Sequence, residues 1–361
     1  AEVLAAVART RKTIAVAGTH GKTTTSSMLA LALIDADFAP SFIIGGEVNE
    51  IGSGASWGSG EWFVVEADES DGTFLELPRS AAVITNIEPD HLEHYGGFDQ
   101  LLAAFTDFLD GTDGPCVLCA DDGHAAGLAA DSGAITYGTA AGATYRMTDL
   151  RSERDGSRWG IDGPSGPLGT FTLAVPGAHN ARNAVAAAVT AIELGADPDA
   201  VRKAIARFAG VARRFEMRGE TAGVVFVDDY AHLPTEVSAA LDAAHDGDWE
   251  RIVCVFQPHR YSRTAAVGAD FADTFDRADV VGVTEIYSAG EAPRPGVSGR
   301  LVFDAVQGGA HPPRSVWLPH RDDVITWLLD ELRPGDLCLT LGAGDLTSVP
   351  DEVQDRLRER T

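Results

Sequence analysis

Val16-Ala17-Gly18-Thr19-His20-Gly21-Lys22-Thr23-Thr24-Thr25 is the stretch on which the reading of this chain turns. It follows a short apolar run, Thr13–Ala17, that suits a buried strand, and it opens a helical stretch, Thr24–Asp35. A strand, a glycine turn and a helix start in that order make an anion site. Free backbone amides and the positive end of the helix converge there. In such a loop Lys22 meets the β- and γ-phosphates of a nucleotide, and the Thr23 hydroxyl ligates Mg2+. The match to the phosphate-loop pattern is incomplete, because Val16 stands where the pattern has its first glycine. The strand–loop–helix setting supplies what the pattern lacks.

Outward from the loop, apolar runs alternate with Ala-rich stretches, which is the pattern of parallel α/β sheets. Trp62–Glu66, Ala81–Thr85 and Cys116–Ala120 read as strands, and 1–9, Phe98–Leu109, Asn180–Leu194 and Asp199–Phe208 as helices. Residues 131–175 are rich in Gly, Thr and Ser, and Thr144–Thr148 and Gly169–Val175 read as antiparallel strands flanking the first sheet. Past Gly210 a fresh alternation begins, with strands near Val224–Val227, Ile252–Phe256, Val280–Thr284 and Leu337–Leu341. The expectation is two α/β domains, 1–210 and 211–361.

Composition narrows the function. The 361 residues carry 54 acidic and 28 basic side chains, a formal net charge of −26. Nucleic acid is not expected as a partner, since phosphate backbones need basic patches. A nucleotide substrate needs only a few local donors and a metal ion. Residues 1–361 show no signal-peptide pattern and no apolar run near the ~20 residues of a membrane span, so no membrane partner is expected. Cys116 and Cys119 form a C-x-x-C without the second pair a zinc site wants, and they read as small apolar residues of a strand. Reduced thiols fit a cytoplasmic protein.

Ligands of open α/β sheets sit beyond the carboxyl ends of strands, and the polar groups cluster there. Trp62–Val65 runs into Glu66-Ala67-Asp68-Glu69-Ser70-Asp71, where Glu66 is placed to hold Mg2+. The next strand ends in Asn86-Ile87-Glu88-Pro89-Asp90-His91. Asn180 and Asn183 lie three apart at a helix start, where Asn180 also reads as a plain N-cap. In the second half, strands end in Asp228-Asp229-Tyr230-Ala231-His232-Leu233-Pro234, in Gln257-Pro258-His259-Arg260-Tyr261-Ser262-Arg263, and in Gly342-Ala343-Gly344-Asp345. Three polar strand ends on one sheet edge describe a binding cleft.

Gly18-Thr19-His20-Gly21-Lys22-Thr23-Thr24 resembles the ATP loop of the Mur ligases, and within them that of the alanine-adding branch. E-A-D-E-S-D, N-x-x-x-D-H, D-D-Y-x-H-x-P-T-E, F-Q-P-H-R-Y-x-R-T and Y-x-A-G-E follow in the family's order and cover nearly the whole chain. The resemblance implies a P-loop-type central ATPase domain, with a mostly parallel sheet and antiparallel flank, then a Rossmann-like C-terminal domain. It implies ATP and two Mg2+ ions, with Thr23, Glu66 and His91 as metal ligands. The nucleotide would be met by Gly18 to Thr24, Asn86, Arg214, Asp229 on the ribose, and Asn180 or Asn183 on adenine. Tyr230, His232, His259, Arg260 and Arg263 would surround the reacting carboxyl and amino-acid groups, with Lys22, His232, His259 and Arg260 catalytic. The implied reaction joins the carboxylate of UDP-N-acetylmuramate to L-alanine through an acyl phosphate, in peptidoglycan precursor synthesis, by a monomer or dimer. A tripeptide-recycling ligase and a plain nucleotide-binding switch are the alternatives.

Two departures bear on this. The family often has two histidines where this chain has His232-Leu233, a change that could alter substrate orientation. The family's first domain, which anchors the uridine diphosphate, is expected upstream of Ala1. Residues 1–361 are therefore expected to bind ATP but to ligate poorly alone.

Overall fold

A computed structural model describes residues 2–360 of the chain. The expected first helix is seen at Glu2–Ala8, and Ala1 lies outside the described residues. The chain divides into two compact units, Ala1–Ala212 and Arg213–Thr361.

The first unit is built on β1 (Lys12–Ala17), β2 (Ser41–Val48), β3 (Ser53–Ser56), β4 (Trp62–Glu66), β5 (Ala81–Ile84), β6 (Cys116–Cys119), β7 (Ile135–Gly138), β8 (Tyr145–Glu153), β9 (Gly156–Gly163) and β10 (Gly166–Leu173). They form one sheet in the order β10-β9-β8-β7-β6-β5-β1-β4-β2-β3. The run from β8 to β2 is parallel throughout. The flank β8-β9-β10 and the edge strand β3 are antiparallel. Thr13 to Ala17 of β1 are all buried, as expected of a central parallel strand with both faces covered. Val16 pairs with both Glu66 and Val83, so the phosphate loop leaves the sheet level with the ends of its two neighbours.

The helix Lys22–Asp35 is buried from Thr23 to Leu33. It packs against the Ala-rich helix Ala178–Glu193, whose small side chains permit close approach. Phe74, Phe105 and Phe108 form the aromatic heart of one core, with ring centroids 5.4 and 5.0 Å from Phe74. Cys119 is buried, Cys116 is half-buried, and all four cysteines are free thiols.

The second unit holds β11 (Glu216–Thr221), β12 (Val224–Asp229), β13 (Arg251–Phe256), β14 (Val280–Val283), β15 (Arg314–Trp317) and β16 (Asp336–Leu341). Their order is β11-β12-β16-β13-β14-β15, parallel except for β11. β16 lies between β12 and β13, and Leu341 pairs with both Asp229 and Phe256. Three strands therefore end at one level, and the three polar motifs leave from there. The doubly wound α/β architecture read from the sequence is the observed one. No helix among the described residues is long and apolar enough to cross a membrane.

Candidate active site

In the first unit the phosphate loop is shaped by contacts that leave no room for side chains. Gly18 has φ +128°, and a Cβ there would meet Thr85 Oγ1 at 2.2 Å and Asn86 O at 3.0 Å. Gly21, at φ +80°, caps the helix that begins at Lys22, and its Cβ would meet Asn183 Oδ1 at 2.5 Å. Gly18→Ala is expected to cost about 1–2 kcal/mol through the left-handed backbone alone and to abolish nucleotide binding. Thermal unfolding with and without ATP reads both effects, and an ATP-induced stabilisation equal to the parent's would contradict the second.

Asn86 accepts from His20 N at 2.8 Å and donates to His20 O at 3.0 Å. Both ends of its amide hold the loop backbone, so its place is that of a loop-shaping residue. Thr85 Oγ1 donates to His20 O at 2.5 Å, and the His20 ring lies 3.2 Å from Glu88 Oε2. Thr19 Oγ1 accepts from Glu88 N at 2.9 Å. Thr24 is buried in the helix. Asn183 rests on the loop, whereas Asn180 donates to Pro176 O at 2.8 Å. The N-cap of that helix is Gly177, not Asn180; the helix starts two residues earlier than the sequence suggests, so Asn180 stands within its first turn.

Lys22 Nζ donates to Gly18 O at 2.7 Å and to both oxygens of Glu69 at 3.0 and 2.8 Å. Glu69 is 2% exposed, and burial raises its pKa against the pull of Lys22. Sequence reading passed over Glu69; the signal available was its place in the acidic run after β4. Tyr95 OH donates to Glu69 O. Thr23 Oγ1 donates to Glu66 Oε1 at 2.9 Å, and Gly45 N donates to Glu66 Oε2 at 2.8 Å. Thr23 and Glu66 are thus brought together. His91 has φ +54° and lies 3.3 Å from Asp90 Oδ2. Among the described residues no three of His, Cys, Asp and Glu converge as a metal site.

In the second unit the ends of β12 and β13 bring their aromatic and basic groups into one cluster. Tyr230 has Arg213 and Arg214 over its ring at 4.9 and 5.0 Å. Arg213 also donates to Gly342 O at 2.7 Å, tying the glycine turn after β16 to the same edge. The rings of Tyr230 and His232 lie 5.5 Å apart, those of His232 and His259 5.6 Å, and Tyr287 stacks on His259 at 5.8 Å. Arg263 Nη1 lies 3.1 Å from His259 Nδ1. Arg260 has φ +66°, donates its N–H to Tyr287 O at 2.8 Å, and leaves its side chain exposed. Glu291 holds the helix that follows by accepting from Ser262 N at 2.9 Å and Ser262 Oγ at 2.5 Å.

Asp229 is 7% exposed, and its two oxygens accept from Phe215 N and Ala231 N, each at 2.7 Å. Burial still outweighs these bonds and the nearby Arg214, and its pKa rises to about 6. Burial also lowers the pKa of His232, and brings His259, with help from the neighbouring His232 and Arg263, to about 4. Both imidazoles are neutral at pH 7. Leu233 is 7% exposed and caps the helix Pro234–His245, so the departure from the family's second histidine is met by apolar packing. Glu236, left without a role in the sequence reading, accepts from His232 N at 2.9 Å and Leu233 N at 3.1 Å.

The first unit thus carries a phosphate-loop-type strand end, and the second, doubly wound unit carries a histidine–arginine cluster at its own strand ends. Residues 16–191 match the Mur ligase middle domain, and residues 213–344 match the Mur ligase glutamate ligase domain. The chain belongs to the Mur ligase family. It is 49% identical over 368 residues to the UDP-N-acetylmuramate–L-alanine ligase of Kineococcus radiotolerans, covering 99% of this chain and 77% of that protein. It is 43% identical over 357 residues to the ligase of the same name from Anaeromyxobacter dehalogenans, covering 98% and 78%. The crystal structure of the UDP-N-acetylmuramate–alanine ligase MurC from Thermotoga maritima superposes with a TM-score of 0.83 at 28% identity, over 100% of this chain and 79% of that one.

Proposed function

We propose that this chain carries the chemistry of an ATP-dependent ligase that joins the carboxylate of UDP-N-acetylmuramate to L-alanine, in the cytoplasm, for peptidoglycan precursor synthesis. The observation that supports it most is the pairing, in one chain, of a lysine-bearing phosphate loop with a cluster of neutral histidines and arginines at level strand ends. A nucleotide switch has no use for the second cluster.

A carboxylate is a poor acylating agent at neutral pH. Transfer of the γ-phosphoryl group to it gives an acyl phosphate, and the alanine amine then displaces phosphate through a tetrahedral intermediate. Phosphoryl transfer rests on positioning and charge neutralisation. Lys22 and the amides of Gly18 to Thr24 serve the phosphates, and Asn180 or Asn183 meets the nucleotide base. Thr23 and Glu66 offer the hard oxygen donors Mg2+ takes, and the ion, when bound, neutralises phosphate charge. Because Mg2+ usually keeps waters and substrate oxygens, two protein ligands suffice, and His91 is the candidate for a second ion. Arg260 and Arg263 match carboxylate groups by their fork of donors. Arg214 and Asp229 are the residues assigned to the ribose-bearing side of the nucleotide, Asp229 by holding the Tyr230 loop in shape.

The test is phosphate release from ATP at saturating UDP-N-acetylmuramate. In a full-length version, release is expected only when L-alanine is also present. Equal release without any amino acid sinks the ligase reading, and a murein tripeptide accepted in preference to alanine moves it to a recycling ligase.

A further inference from the structure

The histidines of the second cluster sit between partners of opposite kind. His232 Nδ1 lies 3.0 Å from the Tyr230 carbonyl oxygen and 3.1 Å from Glu236 Oε2. Both of those atoms can only accept, so Nδ1 carries a proton. His259 Nδ1 lies 3.1 Å from Arg263 Nη1, and a guanidinium can only donate. His259 Nδ1 is therefore bare, and its ring proton is on Nε2. Each ring holds one proton at neutral pH, because burial lowers the pKa of both. The two rings, 5.6 Å apart, are thus opposite tautomers: His232 presents a lone pair at Nε2, and His259 presents an N–H there.

We propose that His232, and not His259, is the base that takes a proton from the incoming ammonium, and that Glu236 is the positioning residue that fixes its tautomer. The proposal rests on the ligase reading above. His259 has no free lone pair; its Nε2–H suits a carboxylate or phosphoryl oxygen as hydrogen-bond donor. At His232 the step balances simply. One N–H bond of the ammonium breaks and an Nε2–H bond forms. The freed nitrogen pair makes the C–N bond at the acyl carbon. When the tetrahedral intermediate collapses the acyl C–O bond breaks, phosphate leaving with the electrons of that bond and taking the second nitrogen proton. The imidazolium then returns its proton to solvent.

Glu236 is suited to hold the ring because it is itself held. Its Oε2 accepts the amides of His232 and Leu233 at the start of the helix Pro234–His245, so it cannot swing away without unmaking the cap. Its charge opposes burial in setting the basicity of His232, while Arg263 and Arg214 act against it. Around His259 the charged and titratable groups are His232, Arg263, Arg260 and Glu291. Burial and the two arginines, against the single carboxylate of Glu291, keep His259 from taking a second proton in place of its neighbour.

A plain helix cap would show the same two amide bonds, so the test must read the ring. The chain is labelled with 15N-histidine, and the two resonance pairs are assigned with H232Q and H259Q. At pH 7.5 long-range 1H–15N spectra are expected to show His232 protonated at Nδ1 and His259 at Nε2. The reverse pattern for either ring overturns the assignment, whether or not the chain ligates. In kinetics, E236Q keeps an oxygen for the cap but loses the charge. The acid limb of its kcat profile is expected at lower pH than the parent's, with a plateau at least roughly tenfold down. A limb that does not move leaves Glu236 a cap only and overturns its positioning role. A full-length version with the expected tautomers but no alanine-dependent phosphate release overturns the ligase reading instead.

Discussion

Lys22→Met is expected to cost the fold about 3–5 kcal/mol at pH 8, much less at pH 5, and to have most of that loss restored by adding Glu69→Gln. The reason lies in the pair itself. The Lys22 and Glu69 side chains are 14% and 3% exposed, and their charges meet at 2.8 Å. Removing the ammonium strands a buried carboxylate, which is far more costly than removing both charges. Burial already raises the pKa of Glu69, and without Lys22 nothing of comparable size opposes it. The folded chain then holds a proton that the unfolded chain releases, so stability falls as pH rises above the ordinary carboxylate range. Protonation caps the penalty at pH 5. Urea unfolding of the parent, the single and the double variant at both pH values checks this. A Lys22→Met penalty of equal size at pH 5 and pH 8 contradicts it. Phosphoryl transfer is not rescued with the fold: both variants lack the donor to the phosphates, and a loss of about 10²–10³-fold is expected for each.

That pair also shows what a linear sequence can and cannot disclose. The phosphate loop was legible because strand, glycines, lysine and helix start lie within a dozen residues of each other. The polar strand ends were legible because the alternation of elements places every such end on one sheet edge. The family motifs extended the reading to residues whose roles no local rule assigns. What escaped were the partners brought in by the fold. Glu69 reads as one carboxylate in an acidic loop until its burial against Lys22 is seen. Glu236 reads as an ordinary first-turn glutamate until the His232 ring is placed beside it. The sequence also does not show that Asn86 holds a backbone amide and a backbone carbonyl of His20, or that backbone amides occupy both oxygens of Asp229. The strands that went unread are those with weak signals. β2 carries Gly45-Gly46, β11 alternates with charged residues at a sheet edge, and β15 is a four-residue edge strand. Short, charged edge strands are how sheets avoid pairing with other chains, and they blur the pattern that would reveal them.

The second large effect is expected at Glu66, and it separates a metal ligand from a structural carboxylate. Glu66 accepts the Thr23 hydroxyl with one oxygen and the Gly45 amide with the other. A Cβ on Gly45 would meet Glu66 Oε2 at 2.9 Å, so the carboxylate is closely packed. Glu66→Gln keeps the volume and removes the charge, and it replaces the oxygen facing the Thr23 hydroxyl with an amide donor, so that hydroxyl must turn to accept. Both readings of Glu66 therefore predict some loss of stability, about 1 kcal/mol for the weakened hydrogen bonds. Only the metal reading predicts a change in ion demand. If Glu66 and Thr23 together hold Mg2+, the concentration giving half-maximal phosphate release rises at least roughly tenfold in Glu66→Gln, the scale on which metal sites respond to a lost partner. Thr23→Val is expected to shift the same titration in the same direction. Thr23→Ser, which keeps the hydroxyl, is expected to stay near the parent. A Glu66→Gln chain that melts earlier but needs no more Mg2+ would assign this carboxylate to holding the Gly45 turn, and leave the ion to the substrate phosphates and Thr23.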